Sequence, residues 1–263
     1  MYTDGHCHLA DPRLKDVKKI LHDCKSLGIS RFVQAGFDPA DWNRQLELQK
    51  QFGCFFMNFG LHPYFVSEHT VDECEAALDQ LAKQLHLADG LGETGLDLRP
   101  DIVKDSFDRQ MDCFEKQLEL AEAFQKPVVL HLVRAFDEVQ KVFATWGAPK
   151  NLGMVHAFSS NSKQAEYYLK QNLYLSIGGS VCHPNNKSLH QAVSMIPLES
   201  LIVESDSPDQ APYGWQNTLN TPDSIFWVAR KIAEIKGISP EEILDSSSKN
   251  LEILFACKTN HRI

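Results

Sequence analysis

No stretch of this 263-residue chain approaches the ~20 apolar residues needed to cross a bilayer. Its first residues, Met1-Tyr2-Thr3-Asp4-Gly5-His6, hold no basic segment leading into an apolar one, so no secretory signal is expected. Positive charge is in short supply: 26 Lys and Arg face 35 Asp and Glu, a formal net charge of −9. That balance excludes the broad basic face with which a protein grips a duplex through many phosphates. A small basic pocket, or bound cations, escapes the exclusion. The seven cysteines (Cys7, Cys24, Cys54, Cys74, Cys113, Cys182 and Cys257) are odd in number, irregularly spaced and free of any C-x-x-C pair. They build neither a disulfide framework nor a zinc knuckle, and are expected as buried or incidental thiols of a reducing compartment. Linkers, low-complexity tracts and charge blocks are missing too. Residues 1–263 are therefore expected to form one cytoplasmic domain with no membrane association.

Present instead is a regular alternation. Hydrophobic residues make up 43% of the chain, enough for a substantial core. Short apolar runs of strand length occur at 31–36, 54–60, 127–131, 153–157, 173–177 and 201–204, with fainter ones at 2–8 and 90–95. Amphipathic segments separate them. The clearest, from about Asp105 to Phe124, has Phe107, Met111, Phe114, Leu118 and Ala121 at steps of four and three, which predicts a buried helical stripe. Near the end, Ser239-Pro240-Glu241-Glu242 reads as a helix start, with Ser239 as cap and Glu242 able to close a capping box. About eight strand–helix units in this length predict an α/β fold, a (β/α)8 TIM barrel. An open doubly wound sheet is the alternative, but its usual G-x-G-x-x-G phosphate loop is missing.

The ionisable residues fall at one place in that alternation. His6 and His8, Glu93, His131, His156 and Asp206 each lie at the C-terminal end of an apolar run. In a barrel of parallel strands those ends converge on one face. Alternate residues of a strand share a side, so His6 and His8 point together. Ionised carboxylates in a barrel mouth are costly without a partner, and a divalent cation is an effective one. Six protein ligands exceed the need of one tetrahedral ion and suit two neighbouring ions bridged by a carboxylate. Mixed imidazole and carboxylate donors admit Mg, Mn, Zn and other divalent metals.

Taken in order, His6-Cys7-His8, Gly60-Leu61-His62-Pro63, Gly92-Glu93-Thr94-Gly95-Leu96-Asp97, His131, His156-Ala157-Phe158-Ser159 and Glu204-Ser205-Asp206-Ser207-Pro208 resemble the TatD-type metal-dependent deoxyribonucleases. The resemblance runs on to Asn250-Leu-Glu-Ile-Leu-Phe255. It implies an amidohydrolase-like TIM barrel holding two divalent ions, Mg, Mn or Zn. One would sit on His6, His8, Glu93 and Asp206, the other on Glu93, His131 and His156, with Glu93 as the bridge. It further implies cleavage of DNA phosphodiesters, as a 3′ exonuclease acting on strand ends or single strands, with no obligatory protein partner. His62 would contact the substrate phosphate or leaving group, and Asp206 would steer the attacking water. Glu204, two before Asp206 on a strand, is expected on the same side, either orienting a histidine ligand or forming an ion pair inside the barrel. The chain departs from the family pattern at Val133, where an Arg is common and Arg134 follows instead, at Ala10 before Asp11, and at Ser160. Arg99, Arg134 and Lys187 are candidate loop contacts to phosphate or simply solvated side chains. Two rival readings remain: a binuclear hydrolase of small phosphoesters, esters or amides, and a non-catalytic metal-containing barrel that binds nucleic acid or protein.

Overall fold

The computed structural model describes residues 1–256. Its strands are β1 (Tyr2–Cys7), β2 (Ile29–Gln34), β3 (Phe55–Phe59), β4 (Gly90–Asp97), β5 (Val128–Val133), β6 (Gly153–Val155), β7 (Tyr174–Ile177) and β8 (Leu201–Val203). All eight belong to one sheet in sequence order, with helices between them and parallel registers. The first and last strands meet at their C-terminal ends. Cys7 bridges Ser207 in parallel, the His8 amide donates to the Ser207 carbonyl at 2.7 Å, and the Asp206 amide donates to the His6 carbonyl at 2.9 Å. The fold is the expected (β/α)8 barrel, and the apolar runs located its strands to within a few residues.

Contacts divide the described residues into two compact units. The first comprises Met1–Gln34, Phe52–Phe55 and the described residues from His156 onward. Its core includes Leu175, Ile177, Ile202 and Val203 from strands, and Ile225, Val228 and Ile232 from the helix Ile225–Lys236. Asp4 and His6 of β1 are fully buried, an uncommon state for such groups in a strand. The second comprises Ala35–Gln51 and Phe56–Val155. Val128, Val129 and Leu130 of β5 are all buried, the continuous apolar run of a parallel strand covered on both faces.

The helix Phe107–Ala123 exists as expected, but its buried face is rotated. Phe114 and Ala121 are buried, whereas Phe107 is 39% exposed and Met111 and Leu118 are half-buried. The buried stripe is Gln110, Cys113, Phe114, Gln117 and Ala121. Polar glutamines displace apolar residues from the interior because the strand ends beneath carry backbone groups that need partners. At the last helix, Pro240–Ala256, Ser239 Oγ accepts from the Glu242 amide at 3.1 Å, so the cap forms as expected. The cysteines among the described residues are free thiols, as expected, and Cys257 lies outside those residues. No described helix is long and apolar enough to cross a membrane.

Candidate metal centre

The first unit gathers His6, His8, His156 and Asp206. His6 and His8 are alternate residues at the end of β1, and both aim Nε2 at Asp206 Oδ1, from 3.7 and 3.4 Å. The His156 ring, just past β6, stacks on His6 with centroids 4.1 Å apart. Ligand atoms of His6, His156 and Asp206 all lie within 4.8 Å of one another. Asp206 reaches this position with φ 53°, off the end of β8, held by its amide N–H donating to the His6 carbonyl and by Gln210 Nε2 donating to Oδ2 at 2.5 Å. Beneath it, Asp4 accepts from the Ser205 amide at 2.9 Å and the Ser205 hydroxyl at 2.6 Å. Glu204 and Asp206 both follow the last residue of β8, so the strand alternation that would put them on one side does not extend to them. Glu204 instead accepts from the Ala157 amide at 2.6 Å and stands 3.9 Å from His156 Nδ1.

Charge in this cluster is uneven. Burial pushes Asp4 up to about 7 against the pull of its bonds from Ser205. Burial likewise pushes Glu204 up to about 8, although His156 opposes it. Burial alone would raise Asp206 as well, but the neighbouring imidazoles of His8, His156 and His6 outweigh it and hold Asp206 well below the usual carboxylate range. Asp206 is thus the most readily ionised of three buried acids.

The second unit gathers His62, Glu93 and His131, whose ligand atoms again fall within 4.8 Å of one another. Glu93 Oε2 stands 3.4 Å from His131 Nδ1 and 3.8 Å from His62 Nε2. The two imidazole nitrogens are 3.2 Å apart. His62, expected to touch substrate, is thus in ligand-like contact with Glu93 and His131. Hydrogen bonds assign the tautomers. The Tyr64 amide donates to His62 Nδ1 at 3.0 Å, so the proton of neutral His62 is on Nε2, facing the cluster. His131 Nε2 lies 3.0 Å from Asp97 Oδ2 and donates to it, which leaves Nδ1 with a lone pair turned toward Glu93. Asp97 is in turn gripped by the Arg99 guanidinium. A carboxylate behind a ligating imidazole fixes its ring and raises its basicity.

Glu93 is placed by a local backbone device. Gly95 has φ 142°, and a Cβ there would stand 2.1 Å from the His131 carbonyl. Only glycine lets β4 approach β5 that closely while Glu93 turns inward. From the other side, the helix Phe107–Ala123 supplies the rotated stripe. Gln117 exchanges two bonds with the Leu61 backbone, at 2.8 and 3.2 Å, directly before His62. Two helical turns earlier, Gln110 does the same for the Asp97 backbone at 2.9 and 3.3 Å. Asp97, Gln110 and Gln117 have no role in the sequence expectations. The only signal was the i, i+7 spacing of two glutamines on an amphipathic helix.

The donors fit divalent cations. Both clusters are built of imidazole nitrogen and carboxylate oxygen, nearly all buried, at separations of 3.4 to 3.8 Å. Those distances are too long for good hydrogen bonds. Two donors each about 2.1 Å from one tetrahedral ion stand roughly 3.4 Å apart.

The family model described as TatD related DNase matches residues 3–256. The chain belongs to the TatD family. Among TatD-family relatives it is similar to the uncharacterized metal-dependent hydrolase YabD of Bacillus subtilis, 30% identical over 97% of this chain and 99% of that protein. It is 27% identical to the uncharacterized metal-dependent hydrolase YjjV of Escherichia coli over 97% of each chain. The crystal structure of the E. coli TatD homologue YJJV superposes with a TM-score of 0.89 over 98% of both chains, at 27% identity. A TatD family hydrolase from Entamoeba histolytica shares the fold, with a TM-score of 0.84 over 97% of both chains and 17% identity. The present chain is accordingly a metal-dependent hydrolase of the TatD family.

Proposed function

We propose that this hydrolase cleaves phosphodiester bonds of DNA at strand ends, as a 3′ exonuclease, with two divalent ions (Mg, Mn or Zn) held between His6, His8, Glu93, His131, His156 and Asp206. We take residues 1–263 to act as one domain and the protein to work in the cytoplasm. The observation that carries the reading is the pair of buried imidazole–carboxylate clusters, each at the C-terminal ends of strands where barrel enzymes do their chemistry. When bound, such ions lower the pKa of a coordinated water and neutralise charge on phosphoryl oxygens.

The chain's own groups then have separate tasks. Glu93 would supply carboxylate oxygen to bound metal. Asp206, ionised at neutral pH, accepts a hydrogen bond from the attacking water and orients it. His62 presents Nε2–H toward the cluster and donates to the departing oxygen. Glu204 and Asp97 keep His156 and His131 aimed. An acidic protein can do this because a strand end needs little contact area.

The test is release of nucleotides from single-stranded DNA in Mg, Mn and Zn, beside RNA, small phosphodiester, ester and amide substrates. Chelation should abolish turnover and the metal should restore it. Release from the small substrates alone would favour the small-molecule hydrolase. No turnover in any metal would leave the binding barrel. Replacing His62 with Gln should slow natural DNA by roughly 100-fold yet spare a 4-nitrophenyl ester, whose leaving group needs no proton.

A further inference from the structure

Three cations are candidates for contact with substrate, and the structure treats them unequally. Arg134 and Lys187 are exposed and form no ion pair among the described residues. Arg99, immediately after β4, is fixed. Its Nε donates to Asp97 Oδ1 at 2.9 Å and its Nη2 to Asp97 Oδ2 at 2.6 Å. Nη2 also donates to the Tyr64 hydroxyl, and the guanidinium carbon lies 5.4 Å from the centre of the Tyr64 ring. The side chain remains 37% exposed.

This uses one edge of the guanidinium. Nη1 donates to no described residue, so a preorganised cation keeps an unspent pair of N–H groups. Its position is defined by the site: Asp97 Oδ2 takes both Arg99 Nη2 and His131 Nε2, so the guanidinium stands one carboxylate away from His131. Register reinforces the placement. Asp97 pairs with Val133 of β5, the Leu98 amide donates to the Val133 carbonyl at 2.9 Å, and Arg99 follows. An arginine whose function were only to neutralise Asp97 would not need anchoring by an aromatic ring and hydroxyl as well. A fork held rigid on one edge and open on the other suits oxyanion recognition, because little side-chain entropy is lost on binding.

We propose that Arg99 anchors a phosphate of the bound DNA strand next to the one being cleaved, through its open Nη1 edge. The assignment rests on the phosphodiesterase reading above and names a contact that reading does not contain. Arg99 acts on binding, while Asp97 separates it from the reacting atoms.

The experiment is fluorescence anisotropy of a labelled single-stranded oligonucleotide with metal-free protein, so that no turnover intervenes. Wild type, Arg99→Gln, Arg99→Lys and Arg134→Gln are compared, with folding checked by thermal melts. Arg99→Gln should weaken binding roughly 10- to 100-fold and flatten its salt dependence. Arg99→Lys should restore only part, because the charge returns without the fork. Arg134→Gln should stay within about 2-fold of wild type, as a solvated side chain does. In the metal-loaded enzyme the loss in kcat/KM on the oligonucleotide should exceed the loss on bis(4-nitrophenyl) phosphate by at least about 10-fold. Equal losses on both substrates would overturn the assignment, since Arg99 would then only brace His131 through Asp97. Equal binding by wild type and Arg99→Gln would overturn it too. Should wild type bind the strand but never cut it, the nuclease reading fails while the anchor stands. Cutting by wild type with normal binding by Arg99→Gln gives the reverse.

Discussion

The two clusters hold the same kinds of donor in different ways. Around His131 and His62, orientation comes from side chains: Asp97 behind one imidazole, and glutamines of a single helix gripping the backbone beside both. Around His6 and Asp206, orientation comes from strand ends: main-chain bonds join residues 6–8 to residues 206–207, with buried Asp4 tying Ser205 underneath. The first arrangement can be dismantled one side chain at a time. The second is bound up with the closure of the barrel, so changes there reach the fold as well as the chemistry.

Asp206→Asn is the largest expected break. It keeps the shape and removes the ionised donor facing His6 and His8, so kcat should fall by at least about 1,000-fold. Thermal melts of the metal-free protein should show a native-like transition; a variant retaining a tenth of its activity would remove Asp206 from the chemistry. Next comes Gly95→Ala. The added methyl would meet the His131 carbonyl at 2.1 Å in a backbone conformation that disfavours any side chain. Loss of about 3 kcal/mol in urea unfolding is expected, and less than ~1 would mean that β4 and β5 yield easily.

Asp97→Asn sharpens the contrast without breaking the fold. It should weaken metal binding at His131 about 10- to 100-fold while sparing the site at His6 and Asp206. Calorimetric titration should then separate one tight from one weakened ion, and Glu204→Gln should show the opposite preference through His156. Parallel weakening of both ions in either variant would mean that the clusters are not independently supported. The smallest effect belongs to Gln117→Met. The Leu61 amide and carbonyl lose their partners, for about 1–3 kcal/mol of stability. On the proposed role of His62 as donor to the leaving oxygen, turnover of DNA should fall more than that of a 4-nitrophenyl ester.

How far the sequence could be read depended on the physics behind each signal. Strands buried on both faces are unbroken apolar runs, so β5 and β8 were legible, and the candidate ligands lie at the ends of such runs. The helix Phe107–Ala123 was legible as a helix but not in its facing. A periodicity argument counts apolar residues, and this helix buries Gln110 and Gln117 while leaving Phe107 exposed. Glu204 and Asp206 lie past the end of β8, so strand alternation does not relate their sides.

Sequence alone determined the barrel, the family and the six candidate ligands, because hydrophobic alternation and ordered motifs are local and linear. Only the tertiary structure decided what stands behind those ligands. That Asp97 backs His131, that Arg99 keeps an open edge, and that glutamines hold Leu61 and Asp97 all depend on hydrogen bonds between separate elements. Those bonds are directional and specific to distance, and no pattern along the chain encodes them.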